Sequence, residues 1–164
     1  MKRGLVIAFV LTLSAFVAER ANAQTASAHG SGTERTFFAV CSTCVPPILS
    51  SGGKGLGFSF SFRGTGTGMV PSIGTLTAVD KETNISLAYQ GLATINTDLH
   101  RLSGSGACLL TAPDGTTVSG TCSFTAVDST SGGGPTEGIV IQGNSATIDL
   151  TTFGPLASGN INID

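Results

Sequence analysis

Leu56, Phe58, Phe60 and Phe62 alternate with Gly57, Ser59 and Ser61, a period of two that a pleated strand resolves into one apolar and one polar face. We read these four as core. The alternation recurs in weaker form downstream. Residues 74–79 and 85–89 read as two strands joined by the polar run Asp80-Lys81-Glu82-Thr83-Asn84, and residues 92–96 continue the second strand past a bulge at Gly91. Residues 102–112 and 117–127 flank Pro113-Asp114-Gly115. Proline presets the first corner of a turn and glycine accepts a positive φ, so this segment predicts a hairpin whose return strand puts Val118, Cys122, Phe124 and Ala126 on one face. A last hairpin joins 138–142 to 146–152 across Gly143-Asn144, and Ile161 and Ile163 alternate in a terminal strand. Before Leu56, residues 35–40 form a short first strand, Pro46-Pro47 ends it, and 50–53 read as a loop. Two further glycine-rich loops fall at 64–68 and 129–135.

About eight to ten short strands with turn signals every eight to twelve residues predict an all-β fold, an antiparallel β-barrel with a β-sandwich as the alternative. No long segment shows helical periodicity, and no repeat of 20 to 50 residues argues for a solenoid or propeller.

The first 34 residues break this pattern. Lys2 and Arg3 precede an apolar run over 5–18, and Ala21-Asn22-Ala23 has the small-x-small form of a signal-peptidase site. The run is shorter than the roughly 20 residues a spanning helix needs. We therefore expect a signal peptide over 1–23, a mature chain from Gln24 with no membrane insertion after cleavage, and a secreted or periplasmic location. Residues 24–34 carry nothing large to bury and read as a flexible N-terminal arm. Residues 35–164 then form a single all-β domain.

Composition narrows the partners. From Gln24 onward there are five basic and nine acidic residues, a scattered net charge of −4. No Lys/Arg cluster exists to neutralise a phosphate backbone or an anionic membrane, so nucleic acid is excluded as a partner and an unknown protein or small-molecule ligand is expected instead. Tryptophan is absent and Tyr89 is the only tyrosine, which counts against a carbohydrate site built on stacked aromatic platforms.

Four cysteines in an exported chain point to two disulfides, with three pairings possible in principle. Cys108 and Cys122 flank the Pro113–Gly115 turn with the parity of inward positions, although a three-residue turn sets Cys108 nearer Gly120 and makes the pair diagonal. Cys41 and Cys44 then pair with each other. The Cys-x-x-Cys spacing is also that of a thiol-exchange motif or half a zinc site, but Pro46-Pro47 follows where an exchange motif would begin a helix. The thirteen residues between Cys108 and Cys122 are too many for a second zinc knuckle.

No cofactor, metal or catalytic set is predicted. His100 with Ser103 and Asp98 is the one Ser/His/Asp grouping available, without a Gly-x-Ser-x-Gly elbow, and His29 lies in the arm. Lys54 lacks the following Ser or Thr of a phosphate loop. Asp80, Glu82 and Asn84 do not have EF-hand spacing and read as a solvated turn. No feature selects a carboxylate pair for glycoside hydrolysis.

Gly57-Phe-Ser-Phe60, Gly74-Thr-Leu-Thr77 leading to Asp80, Ser103-Gly-Ser-Gly-Ala107, Cys122-Ser-Phe-Thr-Ala-Val-Asp128 and Leu156-Ala-Ser-Gly-Asn-Ile-Asn-Ile163 resemble, in that order over about residues 53–163, bacterial secreted β domains of the post-COAP type. Where such domains carry Asp-x-Phe, this chain has Glu137-Gly-Ile139. The resemblance implies an extracellular β domain and transfers no functional residues. The expected function is that of an exported, disulfide-stabilised binding or structural module. The alternatives are an enzyme or small-ligand carrier using a barrel cavity, or a surface-assembly subunit whose arm at 24–34 donates a strand to a neighbour.

Overall fold

The computed structural model describes residues 24–129 and 137–164. The signal peptide expected over 1–23 and nearly all of the loop expected at 129–135 lie outside them. The described residues form eleven strands: β1 (Thr25–Glu34), β2 (Phe37–Cys41), β3 (Ile48–Ser51), β4 (Leu56–Thr65), β5 (Met69–Asp80), β6 (Ser86–Asn96), β7 (Arg101–Thr111), β8 (Thr117–Val127), β9 (Gly138–Asn144), β10 (Ile148–Thr152) and β11 (Ser158–Ile163). All belong to one antiparallel sheet of order β11-β1-β4-β5-β6-β7-β8-β9-β10-β2-β3, curled into a half-barrel.

Two short connections impose the curl. β1 is second in the sheet and β2 tenth, yet only Arg35 and Thr36 join them. Laid flat, strands eight places apart would be roughly 40 Å from each other, whereas a two-residue link spans about 10 Å. Residues 52–55 make a second such crossing from β3, at the sheet edge, back to β4. The sheet must therefore roll until the end of β1 and the start of β2 meet at this corner.

Rolling creates a narrow interior, and the chain fills it by setting rings over glycines. The inward row of β4 is Leu56, Phe58, Phe60 and Phe62, all buried. Opposite them β1 turns in Ala28, Gly30 and Gly32, and a β-carbon on Gly30 would stand 2.8 Å from the Phe60 ring. Phe62, Tyr89 and Phe124 form the central aromatic group, with ring centroids 5.1 to 6.3 Å apart. They lie against Gly74, Gly91 and Gly104, where a β-carbon would come within 2.8 Å of one of these rings or of the tyrosine hydroxyl.

The strand at Leu56, the Pro113–Gly115 hairpin and the terminal Ile161/Ile163 strand stand where the sequence predicts them. Four expectations are corrected. Residues 24–34 are not a flexible arm: β1 is hydrogen-bonded on one side to β4 and on the other to β11. It buries small residues beneath another strand's rings, so it needs no large side chains of its own. Such a strand is also not free for donation to a neighbour. Residues 48–51 form β3 where a loop was expected at 50–53. Gly91 is no bulge, because β5 and β6 stay in one register from Met69↔Asn96 to Val79↔Ser86; the glycine makes room for the Tyr89 hydroxyl. The last hairpin turns at Ser145, whose hydroxyl accepts the N–H groups of Thr147 and Ile148, rather than at Gly143-Asn144.

Removing residues 24–34 should abolish cooperative folding, seen as loss of the β-sheet circular dichroism signal and of a sharp unfolding transition. A flexible arm could be deleted with both intact.

Candidate functional site

Both disulfides join the expected partners. Cys41 and Cys44 close a four-residue loop after β2, with Cα atoms 5.5 Å apart. Cys108 and Cys122 bridge β7 and β8 at 5.8 Å. Cys108 lies directly opposite Gly120, and Cys122 opposite Gly106, so this second bridge is diagonal. With all four sulfurs bonded, no thiolate is free to ligate zinc or to act as the attacking nucleophile. Such bridges are the chemistry of an oxidising compartment.

The structure does not assemble the Ser/His/Asp grouping. Ser103 points outward from β7, and the Asp98 N–H is held by the Asn96 side chain in the β6–β7 turn. His100, at φ 46°, places Nδ1 2.8 Å from the Ile163 carbonyl oxygen. A carbonyl only accepts, so Nδ1 carries the proton. His100 thereby helps close the outer edge of β11. Asp128 Oδ2 accepts the Ile163 N–H at 3.2 Å, and Glu137 accepts the N–H of Ile161. Side chains take the bonds that another strand would make, which blunts an exposed edge.

The acidic residues divide by task. Asp80 is buried and caps its own turn, accepting the Glu82 N–H and the Thr83 hydroxyl. The predicted solvated turn is therefore built around a buried carboxylate. Among the described residues no group of three or more His, Cys, Asp or Glu is placed to hold a metal. Glu34 is different. It ends the small inward row of β1 with no exposed surface, and neither carboxyl oxygen has a hydrogen-bond partner. Burial pushes its pKa up from 4.5 to about 7, partly offset by the backbone of Ile139. Sequence reasoning missed it because it lay in the supposed arm; the signal was its parity with Ala26, Ala28, Gly30 and Gly32.

The outer face carries a broad concavity. A hollow of about 660 Å³ crosses β5 to β9, bordered by Pro71, Leu92 and Val140 and furnished with Ser103, Ser105, Ser123, Thr125 and Gln142. None of the residues lining it is charged. It lies over the one interruption in the β6–β7 ladder, where Tyr89↔Cys108 and Ala93↔Gly104 are paired and the residues between are not. From the inner side the Tyr89 hydroxyl donates to the Leu92 carbonyl at 2.6 Å. Burial pushes the pKa of this phenol up, further from the pH range in which it would lose its proton. A second hollow of about 510 Å³ shares Pro71 and Leu92 with the first and adds Ile73 and Arg63. A third, about 310 Å³, shares Arg63 and adds Ser27, His29 and Ser61.

These hollows follow one level of the sheet. Ser27, Arg63, Ile73 and Leu92 are consecutive partners across β1, β4, β5 and β6, and Ser105, Ser123 and Gln142 continue across β7, β8 and β9. Across seven strands at about 4.8 Å spacing, this row of neighbouring hollows extends on the order of 30 Å along the sheet. The arrangement pairs hydroxyl and carboxamide groups with exposed aliphatic side chains and has no aromatic platform, since Phe58, Phe60, Phe62, Tyr89 and Phe124 all face inward.

Comparison of the chain with protein-family models, with curated proteins and with solved structures finds no match.

Two predictions follow from the buried groups. Because the folded pKa of Glu34 is raised, its contribution to stability is full below about pH 4.5 and is lost as pH rises through about 7; the shift corresponds to on the order of 3 kcal/mol. Glu34→Gln should be more stable than the parent at pH 8 and show a flatter profile, measured by urea unfolding between pH 5 and pH 8. Replacing both Cys108 and Cys122 with alanine should cost about 3 kcal/mol, against about 2 kcal/mol for the Cys41/Cys44 pair, from the lengths of chain each closes. Non-reducing urea titrations report both.

Proposed function

We propose that this protein is an exported binding module whose outer groove takes an extended, polyhydroxylated chain, a glycan in chemical class. The observation that carries the reading is the alignment of three neighbouring hollows from β1 to β9 at one level of the sheet, with hydroxyl and amide groups set among aliphatic ones. Serine, threonine and glutamine side chains offer donors and acceptors to sugar hydroxyls. Pro71, Ile73, Leu92 and Val140 offer apolar contact to the C–H faces of sugar rings in place of aromatic stacking. The lack of charge along the central hollow suits a neutral partner, because a buried unpaired charge would be costly.

Other features support the module over a cavity enzyme or carrier. The interior is occupied by the aromatic rings and by aliphatic residues such as Leu76, Ile95, Leu102 and Ile141. His100, the catalytic candidate, is engaged at the β11 edge. The two disulfides and the amino-terminal signal pattern favour a secreted or periplasmic location, and the post-COAP-type resemblance favours the same setting.

Affinity electrophoresis through gels containing neutral polysaccharides tests the reading. The mature protein should be retarded by at least one of them, and Ser105→Tyr should abolish the retardation while leaving the unfolding midpoint unchanged. Position 105 faces outward, where tyrosine is compatible with a strand. Retardation that survives Ser105→Tyr, or migration unaffected by every polysaccharide, would sink the groove as a glycan site.

A further inference from the structure

The β1/β4 end of the groove differs chemically from its centre. Ser27 and Arg63 are direct cross-strand partners, as are His29 and Ser61, so all four side chains leave the same outer face around a hollow of about 310 Å³. Neighbours related in this way, directly or diagonally, lie within about 5–8 Å. Arg63 is exposed and its guanidinium takes part in no hydrogen bond or ion pair with the described residues. In a mature chain with nine acidic residues against five basic ones, an unengaged arginine beside a histidine and two hydroxyls is a concentration of donors.

An acid one strand beyond Ser27, and diagonal to His29, limits the charge this place can hold. Asp164 lies opposite Ser27 on the far side of β1 from Arg63, their backbones exchanging hydrogen bonds at 2.8 and 2.9 Å. Two strand spacings separate Asp164 from Arg63, on the order of 10 Å. The Asp164 carboxylate is held by the Asn162 amide at 2.6 Å and points along β11 rather than across to Arg63. One full positive charge with one negative charge two strands away accommodates a monoanion better than a dianion. The guanidinium fork also matches a carboxylate in two parallel hydrogen bonds.

We propose that Arg63, His29, Ser27 and Ser61 form a subsite for a single carboxylate on the bound chain, so that the ligand is an acidic glycan read by its neutral length in the central hollow and by one uronate-type carboxylate at the β1/β4 end. This rests on the glycan reading for the identity of the ligand, while the carboxylate subsite stands on its own geometry. Arg63 makes the bidentate contact and the two serine hydroxyls donate to the remaining lone pairs. His29 contributes a further N–H donor from the adjacent strand.

Backbone amide NMR of the mature protein, titrated separately with galacturonate, galactose and inorganic phosphate, tests it. Galacturonate should shift the amides of Ser27, His29, Ser61 and Arg63 in a saturable way at millimolar concentration. Galactose should leave those four unmoved, and phosphate should act more weakly than galacturonate. Arg63→Gln, at an exposed position where folding is not at stake, should weaken the galacturonate response about tenfold, the size expected for loss of a charge-assisted contact. Absence of saturable galacturonate shifts at these residues overturns the subsite. So does a response as strong with phosphate, or one that survives Arg63→Gln. Failure of neutral polysaccharides to bind the central hollow, with the galacturonate response intact, would instead remove the glycan reading and leave the carboxylate site standing.

Discussion

The two-residue link between β1 and β2 is the constraint on which the rest of the architecture depends. Arg35 and Thr36 join strands that occupy the second and tenth places of one sheet, and no flat sheet can satisfy that connection. Curvature follows, and with it an interior too narrow for large side chains on every strand. The chain answers with an asymmetric division: β4, β6 and β8 supply rings, while β1, β5 and β7 supply glycine or alanine beneath them. Interior close packing is reached by matching a ring on one strand to the absence of a β-carbon on the next. The glycine content that looks like flexibility in the sequence is therefore largely a packing device.

That division explains what the sequence disclosed. Phe58, Phe60 and Phe62 advertise their strand because the large residues sit on it, and Pro113-Asp114-Gly115 advertises its turn because proline and glycine do. The diagonal relation of Cys108 to Cys122 follows from counting residues around that turn. β1 is the reciprocal case. Its inward set of Ala26, Ala28, Gly30 and Gly32 keeps the period of two but has no hydrophobic bulk, so a criterion based on burying large side chains assigns it to a mobile segment. Gly91 was misread for a related reason: a glycine within a strand signals either a bulge or a close approach, and only the position of the Tyr89 hydroxyl decides between them. The outer groove has no sequence signature, because its residues are the ordinary outward-facing polar partners of a strand. They become a site only when seven strands align them.

Polar chemistry is distributed by surface. Along the rim, carboxylates and a histidine complete unfinished backbone hydrogen bonds: Asp128, Glu137 and His100 at β11, and Asp80 at the β5–β6 turn. The outer face of the central strands is instead furnished with hydroxyls and stays uncharged over the main hollow. Tyr89 links the two arrangements. Its ring belongs to the aromatic core and its hydroxyl reaches the backbone under the groove, so the packing of the interior and the shape of the outer surface are set by one side chain. Glu34 stands apart as a buried acid whose carboxyl oxygens complete no hydrogen bond of this kind.

β1 also brings the first and last strands of the described chain together. Its register pairs Ala28 with Ile163 and Thr33 with Ser158 while its other side pairs with β4. A chain that emerges from its amino terminus can form the β1–β4 pair early, but β1 keeps one row of unpaired N–H and C=O groups until residues 158–163 arrive. Contacts of such high sequence separation slow folding. The last strand to be made is thus the one that seals the first, and the sheet cannot be completed on any fragment that lacks residues 25–34 or 158–163. For any chain that emerges amino-terminus first, that ordering keeps the complete sheet out of reach until residues 158–163 have appeared, so emergence and folding are separated in time by topology alone.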